Sequence, residues 1–340
     1  MPAESASLSL LSVISLASFF VALLTSKFSD KIGNGILLDH DFKKPQAFHN
    51  ELIPRSGGLA GIISLLIFFI LYNLLFQEIL IDYLMLSIFM FSLGFLEDVN
   101  FKINPNYRLI LMIALLVFFI TSFSINLGTI DFVFLNHWMK NNMFSIIFLT
   151  LCFLFIINGA NLIDGFNGLL TIHLLIINLI LLFLNLNNNN ETLTVVITAQ
   201  IVVLLSFLLF NFPRAKMFLG DGGSYLFGSL VAFNVIQTNN LNPEISSFFF
   251  FGLLGITNGL ANVLGSSTWA EIYGVKHIGS IKALTTALMV FSTAFGTALF
   301  GILIDIKFSI EQIAIVSGAY ILTSIILLYL VRNKLNPKYI

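Results

Sequence analysis

Residues 55–78 read RSGGLAGIISLLIFFILYNLLFQE, so 22 uncharged residues separate Arg55 from Glu78. A helix needs about 20 apolar residues to cross a ~30 Å hydrocarbon core, because in lipid each backbone N–H and C=O must find its partner within the segment. The pattern recurs on both sides of this stretch. Uncharged intervals occupy 5–26, 56–77, 83–96, 109–130, 141–163, 165–190, 192–213, 222–243, 245–270, 283–304 and 312–331, and ten of these eleven have 20 or more residues. The reading is an all-α, polytopic integral membrane protein with about eleven transmembrane helices. Interval 83–96 has only 14 residues and spans only if Asp82 sits at the interface.

Composition supports the same class. Only 10% of the 340 residues are charged and 58% are hydrophobic, 37 of them Phe, against about 25% charged in a soluble domain. Mean hydropathy is +0.97. A net charge of −1 supplies no field to attract nucleic acid, and a single cysteine, Cys152, excludes a disulfide scaffold. The N-terminus carries an acid, Glu4, where a signal peptide has basic residues, so it is read as a retained first helix.

Basic residues are kept preferentially on the cytoplasmic side of a membrane. With eleven spans, one side holds Lys27, Lys31, Lys43, Lys44, Arg55, Lys102, Arg108, Arg214, Lys216, Lys276, Lys282, Arg332, Lys334 and Lys338, and the other holds Lys140 and Lys307. A missed or invented helix would mix the two sets. The N-terminus is therefore expected outside and the C-terminus in the cytoplasm. Asn190-Glu191-Thr192 fits a glycosylation sequon, but so common a triplet is read as chance.

Four segments on the expected inner side place acids, Asn and Gly against helix ends. They are DHDFKKPQAFHNELIPRSGG at 39–58, GFLEDVNFKINPNYRL at 94–109, NGANLIDGFNGLL at 158–170 and PRAKMFLGDGGSYLFG at 213–228. The charge count alone puts all four on one face, which predicts a single polar site roofed by several loops. Their residue types suit phosphoryl transfer with Mg²⁺, an ion that takes one or two carboxylates together with substrate phosphates and water. Glu97, Asp98, Asp164 and Asp221 are the carboxylates, while Lys44, Arg55, Arg108 and Lys216 suit neutralisation of a pyrophosphate. Gly220, Gly222 and Gly223 would let backbone N–H groups approach an anion at a helix start. There is no G-x-x-x-x-G-K-[ST] loop, no strand-linked G-x-G-x-x-G, and the five histidines lack zinc spacing.

Taken together, KPQAFHNELIPRSGG, GFLEDVNFKINPNYRL, NLIDGFNGL and FLGDGGSYLFG resemble the polyprenyl-phosphate N-acetylhexosamine-1-phosphate transferases, glycosyl transferase family 4. Glu97-Asp98 stands where Asp-Asp is more frequent. The resemblance covers about residues 1–245. It implies a bacterial inner-membrane enzyme that moves a sugar 1-phosphate from a UDP-sugar to a polyprenyl phosphate, with Mg²⁺ and release of UMP, for cell-envelope polysaccharides such as peptidoglycan or O-antigen. By the same resemblance, Asp221 is a magnesium ligand. Asp98, with Glu97 beside it, binds metal or activates the polyprenyl phosphate. Asp164, Asn161 and Asn167 hold the nucleotide or metal side, while Lys44, His49 and Arg55 belong to the segment that covers the site. Arg108 and Gly222 are further expected substrate contacts, and a homodimer is admitted among the partners.

The last third departs from that pattern. The family presents several closely spaced histidines after its ninth helix, and this sequence has only His277 there. Residues 255–305, with Trp269-Ala270-Glu271-Ile272-Tyr273-Gly274, Lys276-His277 and Gly279, are instead similar to the C-terminal helices of a major facilitator superfamily transporter. The expected division is thus a transferase-like domain at 1–245 and a transporter-like segment at 246–340. The alternative reading is a catalytically impaired fusion, or a membrane transporter or scaffold.

The topology can be checked by cysteine labelling in a background lacking Cys152. Cysteines at positions 50, 104, 165 and 218 should be shielded from an impermeant thiol reagent in intact cells, and those at 128, 189 and 240 should label. Labelling of any member of the first set from outside would overturn the orientation.

Overall fold

A computed structural model of the chain describes residues 2–29, 31, 35–38, 52–101, 103–128, 133–165, 167–188, 190–241, 299, 302–303 and 306–331. The chain divides into two compact units, Met1–Val263 and Leu264–Ile340. The first contains α1 (Pro2–Phe28), α2 (Gly57–Phe76), α3 (Ile81–Asp98), α4 (Pro105–Ser122), α5 (Val133–Met139), α6 (Asn142–Ile163), α7 (Leu169–Asn187), α8 (Glu191–Asn211) and α9 (Gly220–Leu241). The second contains a helix at Ile310–Val331. Lys44, His49 and most of the transporter-like stretch 255–305 lie outside the described residues.

The fold is all-helical, and nine of the eleven uncharged intervals coincide with a described helix. The intervals 245–270 and 283–304 lie outside the described residues apart from positions 299 and 302–303. Six helices are long and apolar enough to cross a membrane: α1 over Ala6–Phe28, then α2, α4, α6, α7 and α8. The seven-residue α5 lies in the connection between α4 and α6 and was not expected.

Local chemistry sets several boundaries. Pro105 begins α4 with its φ already helical and no N–H to leave unbonded, and the Asn104 side chain accepts from the Asn106 amide at 3.1 Å. Asn141 caps α6 in the same way, accepting from Met143 and Phe144 at 3.0 and 3.2 Å.

Helix α9 is the most polar of the long helices and the most enclosed. It packs along α3 and α6 and also against α2 and α7, and nearly all its side chains are buried. Because protein rather than lipid surrounds it, its polar groups can be satisfied by neighbours. The Tyr83 hydroxyl donates to Asn234 Oδ1 at 3.0 Å, and Asn234 Nδ2 donates to Gln200 Oε1 at 2.7 Å and Asn178 Oδ1 at 3.1 Å. These bonds tie α3, α7 and α8 to the middle of α9.

Contacts at the helix ends show which ends lie together within this unit. At one end, the Gly57 and Gly58 amides donate to the carbonyls of Phe218 and Leu219 at 2.9 and 2.8 Å. At the other end, Asn240 accepts from the Gly128 amide at 2.7 Å and donates to the Asn126 carbonyl at 2.8 Å. The described parts of the four polar segments meet at the first of these ends.

The junctions of α9 with α3 and with α2 leave no room for side chains. A Cβ on Gly94 would lie 2.3 Å from the Asp221 carbonyl oxygen, and one on Gly58 would lie 2.4 Å from the Gly223 nitrogen. Gly94→Ala should therefore cost about 1–3 kcal/mol, the usual range for overpacking, and lower the thermal midpoint of the purified protein. Gly318→Ala, with nothing within 4 Å of the added Cβ, should leave that midpoint unchanged or slightly raised. Equal effects of the two changes would contradict the packing described.

Candidate active site

The site begins with a helix terminus. Gly220 adopts φ +75° as the chain turns into α9, a left-handed backbone that side chains with a Cβ disfavour. This turn aims the first amides of α9 at the end of α3. The Asp98 carboxylate accepts from the Asp221 amide at 2.9 Å through Oδ1 and from the Gly222 amide at 2.8 Å through Oδ2. A carboxylate suits this position because the first turn of a helix has unbonded N–H groups and the positive end of the helix dipole. Glycine permits the approach, since a Cβ on Gly220 would lie 2.6 Å from Asp98 Oδ1.

Asp98 is only 2% exposed. Burial raises its pKa, the neighbouring Asp221 raises it further, and the two amides and Arg55 act in the opposite direction, leaving it at about 8. Proton exchange at Asp98 is thereby brought near neutral pH. Asp164 follows α6 as its C-cap, with its amide donating to the Ala160 carbonyl at 3.2 Å. Its pKa is also raised, first by loss of water contact and then by Asp221 and Asp98, with Arg55 opposing.

Asp221 lies at the centre of the cluster. Asn161 on α6 donates from Nδ2 to Asp221 Oδ1 and to Ser224 Oγ, each at 3.0 Å. Arg108 on α4 places Nη1 3.4 Å from Asp221 Oδ2 and 3.3 Å from Glu97 Oε1. Its guanidinium carbon is 5.9 Å from the centre of the Tyr225 ring. The side chains of Glu97, Arg108 and Asp221 remain about a quarter exposed, so the cluster is open to a solute.

Other expected residues have different positions. Gly222 is buried and contributes its amide to Asp98. Asn167 is exposed and donates to the Pro213 carbonyl at 3.3 Å, linking the segments that follow α6 and α8. Arg55 is held before α2 by its amide, which donates to Leu37 O at 2.8 Å, and its charge acts on both Asp98 and Asp164.

Three contributors were not singled out from the sequence. Ser224 and Tyr225 follow Asp221 by three and four residues, so they share its face of α9, a signal the helical period carries. Asn211 is buried at the end of α8, where it accepts from the Gly168 amide at 2.5 Å and donates to the Met217 carbonyl at 3.0 Å. Its long-range role has no sequence signature.

Among the described residues, no three His, Cys, Asp or Glu side chains form a metal-holding group. That donor set still fits Mg²⁺, which needs only one or two protein carboxylates when phosphate and water supply the remaining oxygens. Asp98 is the least suited, because it is buried behind the two α9 amides its oxygens accept from, whereas Asp221 and Glu97 remain partly exposed. Asp221 and Glu97 face one another across a single nitrogen and retain lone pairs.

Residues 80–239, which supply Glu97, Asp98, Arg108, Asn161, Asp164 and Asp221, match the sequence profile of glycosyl transferase family 4. This region belongs to glycosyl transferase family 4. The phospho-N-acetylmuramoyl-pentapeptide-transferase of Orientia tsutsugamushi is 28% identical over 269 residues, covering 69% of this chain and 70% of the relative. The protein of the same name from Clostridium perfringens is 31% identical over 188 residues, covering 53% and 59%. The undecaprenyl-phosphate alpha-N-acetylglucosaminyl 1-phosphate transferase of Thermotoga maritima is 27% identical over 215 residues, covering 63% and 60%. The chain thus spans about three fifths to seven tenths of these relatives. With six helices long and apolar enough to cross a membrane, the chain is a multi-pass membrane protein whose residues 80–239 carry this family's profile.

The capping geometry distinguishes Asp98 from its neighbour Glu97. In Asp98→Asn an amide group would face a backbone N–H, leaving a buried donor unsatisfied at a cost of about 1–3 kcal/mol. The thermal midpoint should fall together with activity. Glu97→Gln removes only a partly exposed ion pair, worth about 0–1 kcal/mol, and should leave the midpoint nearly unchanged. A stable Asp98→Asn protein would show that the cap is dispensable.

Proposed function

We propose that the protein transfers an N-acetylhexosamine 1-phosphate from a UDP-sugar to a polyprenyl phosphate at the cytoplasmic membrane face, releasing UMP for cell-envelope polysaccharide synthesis. The observation that carries this reading is the convergence of Glu97, Asp98, Arg108, Asn161 and Asp221 at one end of an apolar helix bundle. One proposed substrate lies in the bilayer and the other in water. Their phosphates can meet only where a charged cluster ends a bundle of membrane-spanning helices, and this cluster has that position. The expected inner location of its loops rests on the distribution of Lys and Arg.

In the proposed reaction an oxygen of the polyprenyl phosphate attacks the sugar-linked phosphorus of the UDP-sugar. A P–O bond forms there, the bridging P–O bond breaks, and its electron pair leaves with UMP. The product is a polyprenyl diphosphate sugar. Arg108 and Arg55 offset the charge of the pyrophosphate, and Asn161 orients Asp221 through its 3.0 Å bond. Glu97 is exposed enough to meet the lipid phosphate, and Asp98 sets where the α9 amides stand. Mg²⁺, held by Asp221 with Glu97 beside it, would neutralise charge developing on the transferred and leaving phosphate oxygens.

Membranes containing the protein should release UMP from UDP-N-acetylglucosamine or a related UDP-sugar when undecaprenyl phosphate is added, and Asp221→Asn should lower the rate at least a hundredfold. More than about a tenth of wild-type activity in that variant would exclude Asp221 as a metal ligand. A tenfold loss corresponds to only ~1.4 kcal/mol, less than a metal ligand should supply.

A further inference from the structure

Arg108 has an unusual position for a residue expected to meet substrate. One nitrogen, Nη1, lies 3.3 Å from Glu97 Oε1 and 3.4 Å from Asp221 Oδ2, bridging the end of α3 and the start of α9 from α4. A small divalent ion carrying its own water would need the same space, because Mg²⁺ binds oxygen at about 2.0–2.1 Å and keeps several waters. The guanidinium has a third neighbour in the Tyr225 ring, 5.9 Å away. Tyr225 itself is buried, and its hydroxyl has no hydrogen-bond partner among the described residues. Arg108 is therefore the counter-ion of the carboxylate pair.

We infer that Arg108 is an internal stand-in for the divalent cation: it occupies the Glu97–Asp221 pair until an anionic phosphate draws it away, so that phosphate and metal bind cooperatively. This inference rests on the proposed assignment of Asp221 as a metal ligand. Its physical basis is competition. A guanidinium and a divalent ion cannot both lie between two carboxylates this close without strong like-charge repulsion. A phosphate offers the guanidinium a bidentate partner of equal or better geometry. Loss of Arg108 from the pair exposes two negative groups to the metal. Linkage then requires the metal to tighten phosphate binding by the same factor by which phosphate tightens metal binding. Arg108 thus has two successive partners in this scheme, the carboxylate pair first and the substrate phosphate once it has bound.

Binding of Mn²⁺ as a spectroscopic substitute tests this without any turnover. The full-length protein in nanodiscs is titrated with Mn²⁺ and monitored by electron paramagnetic resonance, with and without saturating UMP. In the wild type, UMP should tighten Mn²⁺ binding at least fivefold. Arg108→Gln should bind Mn²⁺ about tenfold more tightly than wild type without UMP, and UMP should add little. Arg108→Lys, which restores the charge, should return the weak binding. The thermal midpoint of each variant shows whether it is folded, and the wild-type coupling stands as a test without any variant.

If UMP leaves wild-type Mn²⁺ affinity unchanged, or if folded Arg108→Gln behaves as wild type, the inference is overturned. Asp221→Asn separates this failure from failure of the functional reading. Loss of Mn²⁺ binding in Asp221→Asn with no effect of Arg108→Gln removes the stand-in role alone. Retention of wild-type Mn²⁺ binding in Asp221→Asn removes both.

Discussion

The Asp98 carboxylate on the first amides of α9 is the interaction on which the site depends. It joins the end of one helix to the beginning of another through 2.9 and 2.8 Å hydrogen bonds to successive backbone nitrogens. The left-handed turn at Gly220 and the absence of a side chain at Gly94 make this approach sterically feasible. Once α9 is anchored there, Asp221 must emerge on its first turn, next to Glu97 and within reach of α4 and α6. The order of these residues along the chain is therefore converted into a cluster by one helix cap.

The bundle resolves a conflict between solubility in lipid and chemistry at its rim. The helices α1, α2, α4, α6, α7 and α8 present enough apolar surface to span a bilayer. This leaves the polar α9 to be shielded by its neighbours rather than by its own composition. The bonds linking Tyr83, Asn178, Gln200 and Asn234 hold it within that shield. In an apolar medium such side chains have few alternative partners, so their mutual bonds fix the register of α9 against its neighbours. A fixed register keeps the charged first turn of α9 at the end of the bundle.

Charge is distributed around the site in two layers. Asp98 is buried, and its proton affinity is raised toward neutral pH by desolvation and by Asp221. Glu97, Asp221 and Arg108 are partly solvated and pair with one another. The buried acid sets the position of the α9 backbone, and the outer three groups are the ones a solute can reach. This division gives adjacent residues, Glu97 and Asp98, different physical tasks despite their similar chemistry.

The sequence by itself determined the class of the protein. Uncharged runs near 20 residues leave little alternative to membrane helices, because a backbone in lipid must bond internally, and nine of the eleven runs coincide with described helices. The alternation of charged segments also indicated which loops share an end, and the packing of α2 through α9 agrees. The four motifs were enough to suggest the family to which residues 80–239 belong. Sequence could not assign tasks within the cluster, because a carboxylate's role depends on what surrounds it. Only tertiary structure decided that Asp98 caps α9, that Arg108 lies between Glu97 and Asp221, and that Asn211 ties the loops after α6 and α8 together. Those relationships join residues from 6 to 124 positions apart, and no local period or propensity carries distances of that kind.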